Sequence, residues 1–367
     1  METDLLIIGG GPAGLHAAYV AALHGSKTVI VDESFSLGGQ LRQQTQQINH
    51  LPDPLESQTG IALAETLTKR LGNLDVTILL KHTMIGAYKD GRVGVSNGEN
   101  TIPIAAKKVL VTTGAAEEAF AFPGWTLPGV MTVGAAQILM NREHVKPGKN
   151  AIVIGSNDFA LEVAKQLVEN GVFLQGIVEA KDRLKASNKE TVQFLEAAGV
   201  PIYLNSSIIQ ASGNGEVEKV IISHQEANKE MDIDLVCIGK GVTPILEPME
   251  ILGCDFTYEQ DLGGWVPQYH LTMETSQSSV YVAGNAAGIT DMGAILLTAE
   301  IASVGVIESL GGLDEEAAVS RREQLWQQLC HLESTSTCKA RIHMIKASQG
   351  EMDTQLAQLF DMSGGGI

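Results

Sequence analysis

Four cysteines in 367 residues, none of them spaced as CxxC, leave the chain without a redox dithiol or a cysteine quartet for zinc or an iron–sulfur cluster. Cys237, Cys254, Cys330 and Cys338 read as small core or surface thiols. Cys330 and Cys338 are near enough in sequence to approach one another, in a spacing that fits no metal site. Positive charge is also scarce, with 25 Lys and Arg against 43 Asp and Glu, a net −18. That sign opposes binding to a phosphate backbone and argues against a nucleic-acid partner. A bound anionic cofactor would have to rely on local amides and helix ends. The start, METDLLII, lacks the basic and long apolar regions of a secretory signal. The apolar stretch GAILLTAEIASVGV is interrupted by Glu300 and is too short for a bilayer span. We therefore expect a cytoplasmic protein.

What is present is ordinary globular material, 44% hydrophobic and 19% charged, in a chain long enough for two domains. DLLII, a glycine-rich turn, AGLHAAYVAALHG and KTVIVDE form a strand–turn–helix–strand unit, the start of a parallel sheet. A Gln-rich segment, a helix around GIALAETLTKRLG and the strands VTILL, TMIGAYK, GRVGVSNG and KKVLVTTGA follow. The Pro/Gly-rich connector FPGWTLPGV then breaks the pattern. From residue 150 the same unit begins again, as NAIVIGSNDFALEVAKQLVENGVFLQGIVEA. The late strand SSVYVAGN and its helix return to the first domain, so the second architecture is inserted into the first. Residues 315–360 read as one or two helices, suited to an interface.

Each repeat carries a glycine-loop position. In the first, Gly9-Gly10-Gly11-Pro12-Ala13-Gly14 follows a strand and opens a helix, the setting in which GxGxxG is informative. Gly9 serves the tight turn, Gly11 the approach of a pyrophosphate, and Gly14 the packing of helix on sheet. Asp32 ends the second strand, where an acid for ribose hydroxyls is expected. In the second repeat the loop reads Gly155-Ser156-Asn157-Asp158-Phe159-Ala160. Asn157 replaces the middle glycine, and Asp158 adds a charge that opposes phosphate by roughly 1–4 kcal/mol. Glu179 closes the next strand, placed to hold an NADH ribose and to repel NADPH. Lys181 and Arg183 read as a solvated loop. The reading is a retained fold with a lost or altered ligand; any nicotinamide cofactor bound there would be NADH.

The series GGGPAG, GGQL, TTGA and YVAGN resembles the flavoprotein pyridine nucleotide–disulfide oxidoreductase superfamily, in its thioredoxin-reductase-like branch. The resemblance implies an α/β fold of two Rossmann-like, three-layer ββα nucleotide-binding domains, the second inserted in the first, with a short helical C-terminal tail. The expected boundaries are 1–117 with 270–312 for the FAD domain, 118–269 for the NAD(P)-like domain and 313–367 for the tail. It implies FAD, held by Gly9, Gly11, Pro12, Ala13, Gly14, Asp32, Glu33, Gly39, Gln40, Asn49, Met84, Thr113, Gly114, Gly284, Asn285, Gly293 and Ala294. Asn285 stands where the family usually has Asp, and can still hydrogen-bond a ribityl hydroxyl. The branch's redox CxxC would fall in GWTLPGVMTVGAAQILMNRE, which has no cysteine. Direct disulfide reduction is therefore not expected.

FPGWTLPGVMTVGAAQ, LGC, GGWVP and YVAGNAAGI together resemble the larger flavin subunits of amine and imino-acid dehydrogenase complexes, over residues 4 to about 311. These include subunits of hydrogen cyanide synthase, opine oxidase, proline and hydroxyproline dehydrogenases, and part of the sarcosine oxidase α subunit. In a purely structural role GWTLPGV is a Pro-braced crossover, with Trp125 and Trp265 as packing. The resemblance implies a second flavoprotein subunit that oxidises the substrate. Any iron–sulfur relay would be carried by another, small subunit, since the tail's cysteines are too few and no metal site is expected here. No catalytic acid–base pair is apparent; His50 reads as a structural loop residue. Three readings follow: an FAD-holding electron-transfer subunit of a homo- or hetero-oligomer, a self-contained NADH-dependent flavin oxidoreductase, or a non-redox scaffold for an adenine nucleotide.

Overall fold

A computed structural model of the chain describes residues 1–225 and 227–349, with the side chains of 347–349 excepted. The chain divides into two compact units, one formed by Met1–Ala116 with Thr243–Ile367 and the other by Glu117–Val242. The second is thus an insertion, as the repeat of the strand–loop–helix unit predicts.

In the first unit the apolar runs become β1 (Glu2–Ile8), α1 (Pro12–Leu23), β2 (Thr28–Asp32), α2 (Gly60–Lys69) and β3 (Val76–Leu80). Then come β4 (Thr83–Ala87), β5 (Val93–Ser96) and the long β6 (Thr101–Val111). The sheet order is β3-β2-β1-β6-β5-β4. Strands β1, β2, β3 and the C-terminal half of β6 run parallel, and the near-complete burial of the central ones explains the unbroken Leu/Ile/Val runs. The N-terminal half of β6 instead pairs antiparallel with β5, as β5 does with β4. One strand therefore belongs to both sheet layers.

The second unit is built from β7 (Val130–Thr132), α3 (Val133–Asn141), β8 (Asn150–Ile154), α4 (Asp158–Glu169) and β9 (Phe173–Val178). It continues with α5 (Lys189–Ala197), β10 (Ile202–Tyr203), β11 (Ser207–Ser212), β12 (Lys219–His224), β13 (Ala227–Asp232) and β14 (Leu235–Ile238). A parallel sheet in the order β7-β14-β8-β9-β10 lies beside an antiparallel β11-β12-β13 sheet. Alternate side chains sort the layers. Ala151, Val153, Leu235 and Cys237 enter the core shared with α3 and α4. Ile152, Val236 and Ile238 enter the core shared with the antiparallel sheet.

The chain returns to the first unit earlier than 270. The segment with α6 (Glu247–Leu252), β15 (Phe256–Glu259) and β16 (Gly264–Pro267) already belongs to it. Met249 and Cys254 are buried in the first unit's core, which fixes the crossing at Val242/Thr243. Strand β17 (Val280–Val282) then pairs parallel with β6, and α7 (Met292–Ser309) packs on α1. Helix α7 is long and apolar enough to cross a membrane, yet 78% of it is buried inside the protein. Its Glu300 bonds His16 of α1 at 3.2 Å and also Arg321, which tolerates a carboxylate in that setting.

The expected tail helices are α8 (Glu315–Leu332) and α9 (Thr335–Gln349); the expectation beyond 349 lies outside the described residues. They are integral rather than appended. Ala318, Leu325, Trp326, Leu329, Met344 and Ile345 all enter the first unit's core. The two tryptophans expected as packing are instead exposed, 44% for Trp125 and 56% for Trp265. Trp265 meets the ring of Tyr258 edge-on across the β15–β16 hairpin, 5.7 Å between centroids.

Candidate functional site

The loop after β1 is shaped by its own backbone. Gly9 has φ +110°, and a Cβ there would lie 2.5 Å from the Thr112 carbonyl oxygen. A Cβ at Gly14 would collide with the Gly9 carbonyl oxygen, so α1 can sit on the sheet only with glycine at that place. Gly11 differs. Its φ is −76°, and the nearest atom to a Cβ there is Gly39 Cα at 3.9 Å. Among the described residues none demands glycine at 11; in dinucleotide-binding loops glycine at this place lets a pyrophosphate approach the backbone. Pro12 begins α1, and the N-cap Gly11 supplies no side-chain cap to the amides of the first turn.

Other segments close around this loop. A Cβ at Gly39 would lie 2.9 Å from Gly11 Cα, and the Gly38 amide donates to the Gly10 carbonyl at 2.9 Å. A Cβ at Gly284 would lie 2.9 Å from the Ala13 methyl. Gly293, in the first turn of α7, admits the His50 carbonyl where any Cβ would collide with it. Thr113 and Gly114 follow β6 directly beside Gly9, with Thr113 Oγ1 donating to the Ile245 carbonyl at 3.1 Å. Gln40 and Asn49 are exposed; Gln40 accepts from Gln43, and Asn49 from Ser57. His50 is exposed at φ +57°. The structure thus gathers 9–14, 38–40, 49–50, 113–114, 284–285 and 293–294. Met84 is a core residue of β4, only 6% exposed, and has little surface to offer a ligand.

Asp32 has a different task from the one its position predicts. It is buried, with Oδ2 accepting from the Gly10 amide at 2.6 Å and Oδ1 from the Ser34 amide at 2.8 Å. It braces the loop, and the exposed acid beside it is Glu33. Arg42, missed in the sequence, holds the segment after Glu33. It donates to Ser36 Oγ at 2.7 Å, Ser34 Oγ at 3.1 Å and the Gly39 carbonyl at 3.2 Å. At the far end, Asn285 Oδ1 accepts from the Thr290 amide at 3.0 Å. Because a backbone N–H must meet the oxygen, the amide orientation is fixed and Nδ2 is left as the donor.

The second loop has the same frame but is filled by itself. Gly155, at φ +105°, donates to the Val178 carbonyl at 2.8 Å, as Gly9 does to Val31. That equivalence pairs Asp32 with Glu179 and Glu33 with Ala180. Glu179 is 2% exposed; Oε2 accepts from Ser156 Oγ at 2.6 Å and Oε1 from the Lys181 amide at 3.0 Å. The acid read as a ribose ligand is therefore the loop's internal brace, and the position open to a ribose carries alanine. Asn157 stands at the Gly11 position. Its Oδ1 caps α4 through the Ala160 amide at 2.9 Å, and its Nδ2 donates to the Gly239 carbonyl at 2.8 Å. Asp158 accepts from the amides of Ser187 and Asn188 at 2.9 and 2.8 Å. Small residues have also changed sides. A Cβ at Gly239 would lie 2.5 Å from the Ala160 methyl, whereas in the first unit the helix carries the glycine and the strand end carries Thr112.

The thiols lie outside this arrangement. Burial pushes Cys237 up to about 12 and also raises Cys254. Cys330 and Cys338 do meet, in a thiol–thiol hydrogen bond between α8 and α9 that raises Cys330. Among the described residues no group of His, Cys, Asp and Glu forms a metal site.

The sequence pattern of the pyridine nucleotide-disulphide oxidoreductase family matches residues 3–307. An opine oxidase subunit of Rhizobium meliloti (strain 1021) is 26% identical over 84% of this chain and 71% of its own length. Hydrogen cyanide synthase subunit HcnB of Pseudomonas protegens is 25% identical over 90% of this chain and 76% of its own. In fold, the chain is similar to L-proline dehydrogenase from P. horikoshii, with TM-score 0.67 and 22% identity, over 88% of this chain but only 59% of that one. It is likewise similar to T. acidophilum thioredoxin reductase, with TM-score 0.69 and 20% identity, over 84% of this chain and 99% of that one.

Proposed function

The chain belongs to the pyridine nucleotide-disulphide oxidoreductase family, and from that premise we propose that it is an FAD-holding subunit of an amine or imino-acid dehydrogenase complex. The observation that carries the reading is the contrast between its two loops. One is open at Gly11 and uncapped; the other has Asn157, Asp158 and Glu179 hydrogen-bonded within the protein.

The residues of the open site fit a flavin dinucleotide. The amides of α1 and the bare backbone at Gly11 would take the pyrophosphate, and Glu33 the adenosine ribose. Asn285 would donate through Nδ2 to the ribityl chain, and the first turn of α7, with Gly293 and Ala294, would face the ring. Bound there, a flavin supplies two-electron chemistry and can pass electrons on. Electrons do not enter from NADH, because the second unit offers neither a clear phosphate cradle nor a ribose acid. They come from a partner flavoprotein that oxidises a C–N bond to C=N, releasing two electrons and two protons. The chain's thiols take no part, so it reduces no disulfide. Support for a complex comes from relatives whose names mark them as subunits.

The test is to isolate the tagged chain from its native cell and assay the isolate with secondary amines and imino acids. The reading predicts a second flavoprotein subunit in stable ratio and dehydrogenase activity confined to the complex. A chain recovered alone, active with NADH, would overturn it.

A further inference from the structure

We propose that Arg341 is a positioning residue of the open site, acting from α9 to fix the turn that carries Asn285 into α7. The inference rests on the FAD reading of that site.

Arg341 is 1% exposed, among the largest fully buried side chains of the protein. Its Nε donates to both oxygens of Glu333, at 2.9 and 3.0 Å. Nη1 reaches Tyr269 Oη at 2.6 Å and the Ala287 carbonyl at 2.8 Å, and Nη2 reaches the Gly288 carbonyl at 3.3 Å. Tyr269 Oη itself donates to the Ala287 carbonyl at 3.0 Å. These carbonyls lie two and three residues beyond Asn285, at the end of a single helical turn whose oxygens have no helical partner. From the other side, Glu333 Oε1 accepts from Thr290 Oγ1 at 2.7 Å, and the Thr290 amide donates to Asn285 Oδ1 at 3.0 Å. The turn from Gly284 to Asp291 is therefore held at Ala287, Gly288 and Thr290 by one buried ion pair.

Stapling α9 to the body does not need such a pair. Apolar residues of equal volume bury as well or better, because a desolvated guanidinium and carboxylate gain little beyond their own solvation cost. A planar fork does what apolar packing cannot, fixing two carbonyls and a carboxylate at set directions. That precision falls on the one turn that orients the Asn285 amide and leads to Gly293. Arg341 also sits on the apolar face of α9, three residues from Cys338 and Met344, where packing alone calls for a hydrophobic residue.

The test compares the full chain with R341M, R341K and T290V, reading FAD affinity by fluorescence titration, flavin reduction potential and thermal midpoint. R341M is expected to weaken FAD binding about tenfold or more and to shift the potential, with R341K recovering little because it lacks the fork. T290V leaves the Arg341–Glu333 pair and the Thr290 amide bond to Asn285 in place and cuts only the Thr290 hydroxyl bond that ties this segment to Glu333; it is expected to weaken FAD several-fold with the midpoint nearly unchanged. If R341M fails to fold, T290V decides. Folded variants that bind FAD with wild-type affinity and potential would overturn the inference while leaving the FAD reading in place. A wild-type chain that takes up no FAD would overturn both.

Discussion

Asn157 and Gly11 occupy the same place in two copies of one loop, and only Asn157 turns its side chain back to cap its own helix, through the Ala160 amide at 2.9 Å. The helix amide that has no side-chain cap at Gly11 thus has its partner inside the protein at Asn157. The polar side chains of this second loop are hydrogen-bonded within the protein itself.

Asn157→Gly reopens that position. The cap is lost at a cost of under about 1 kcal/mol, and NADH affinity is expected to rise about tenfold. Adding Ala180→Glu, which restores an acid at the place of Glu33, raises it further. Isothermal titration on the single and double variants checks the order; unchanged affinity in both would show that the loop is not what excludes NADH.

Two alanine substitutions in the first loop separate packing from binding. Gly14→Ala drives a methyl into the Gly9 carbonyl and Thr112 Oγ1, and should cost about 3 kcal/mol. Gly11→Ala meets nothing closer than 3.9 Å and should cost less than about 1 kcal/mol, yet weaken FAD binding by about tenfold or more. Urea unfolding without FAD and flavin titration give the two numbers independently. A destabilised Gly11→Ala that binds FAD normally would remove the case for a ligand at Gly11.

Acid should act on the clasp between α1, α7 and α8. Burial raises the Glu300 carboxyl, but hydrogen bonds from His16 and Arg321 outweigh it and bring the group down to about 2. A depressed acid contributes stability that is complete above its unfolded value and is lost as pH falls through the folded one. Glu300→Gln is therefore expected to lose about 3 kcal/mol at neutral pH, with the gap to wild type closing between about pH 4.5 and 2. Thermal midpoints across that range test it; a gap that persists at pH 2 would contradict the assignment.

Much of this was legible in the residues. Continuous apolar runs marked the parallel strands, and both glycine positions marked the repeat and its insertion. The Gly11/Asn157 difference pointed to one open and one altered site. What was not legible depends on contacts distant in sequence. Asp32 and Glu33 are adjacent acids, and only the fold shows that one braces Gly10 while the other faces out. The return at Thr243 was hidden because Met249 and Cys254 declare their core only when packed. Arg341 left a faint trace, a charge on an apolar helix face, but its partners Tyr269, Ala287 and Gly288 lie more than fifty residues away.

The thiols provide a further check. With Cys237 pushed up to about 12 and no cysteine in the 122–142 segment, the chain should turn over no disulfide substrate. Replacing Cys330 and Cys338 together by serine should leave the flavin spectrum and its photoreduction unaltered. Loss of reducibility in that variant would place a thiol in the electron path.

The most direct measurement mixes the purified, flavin-loaded chain with excess NADH under anaerobic conditions and follows the visible flavin bands. The protein is expected to stay oxidised and yellow with NADH, and to bleach when dithionite is added. Prompt bleaching by NADH would show that the second unit still delivers hydride, and would contradict the claim that electrons enter from a partner.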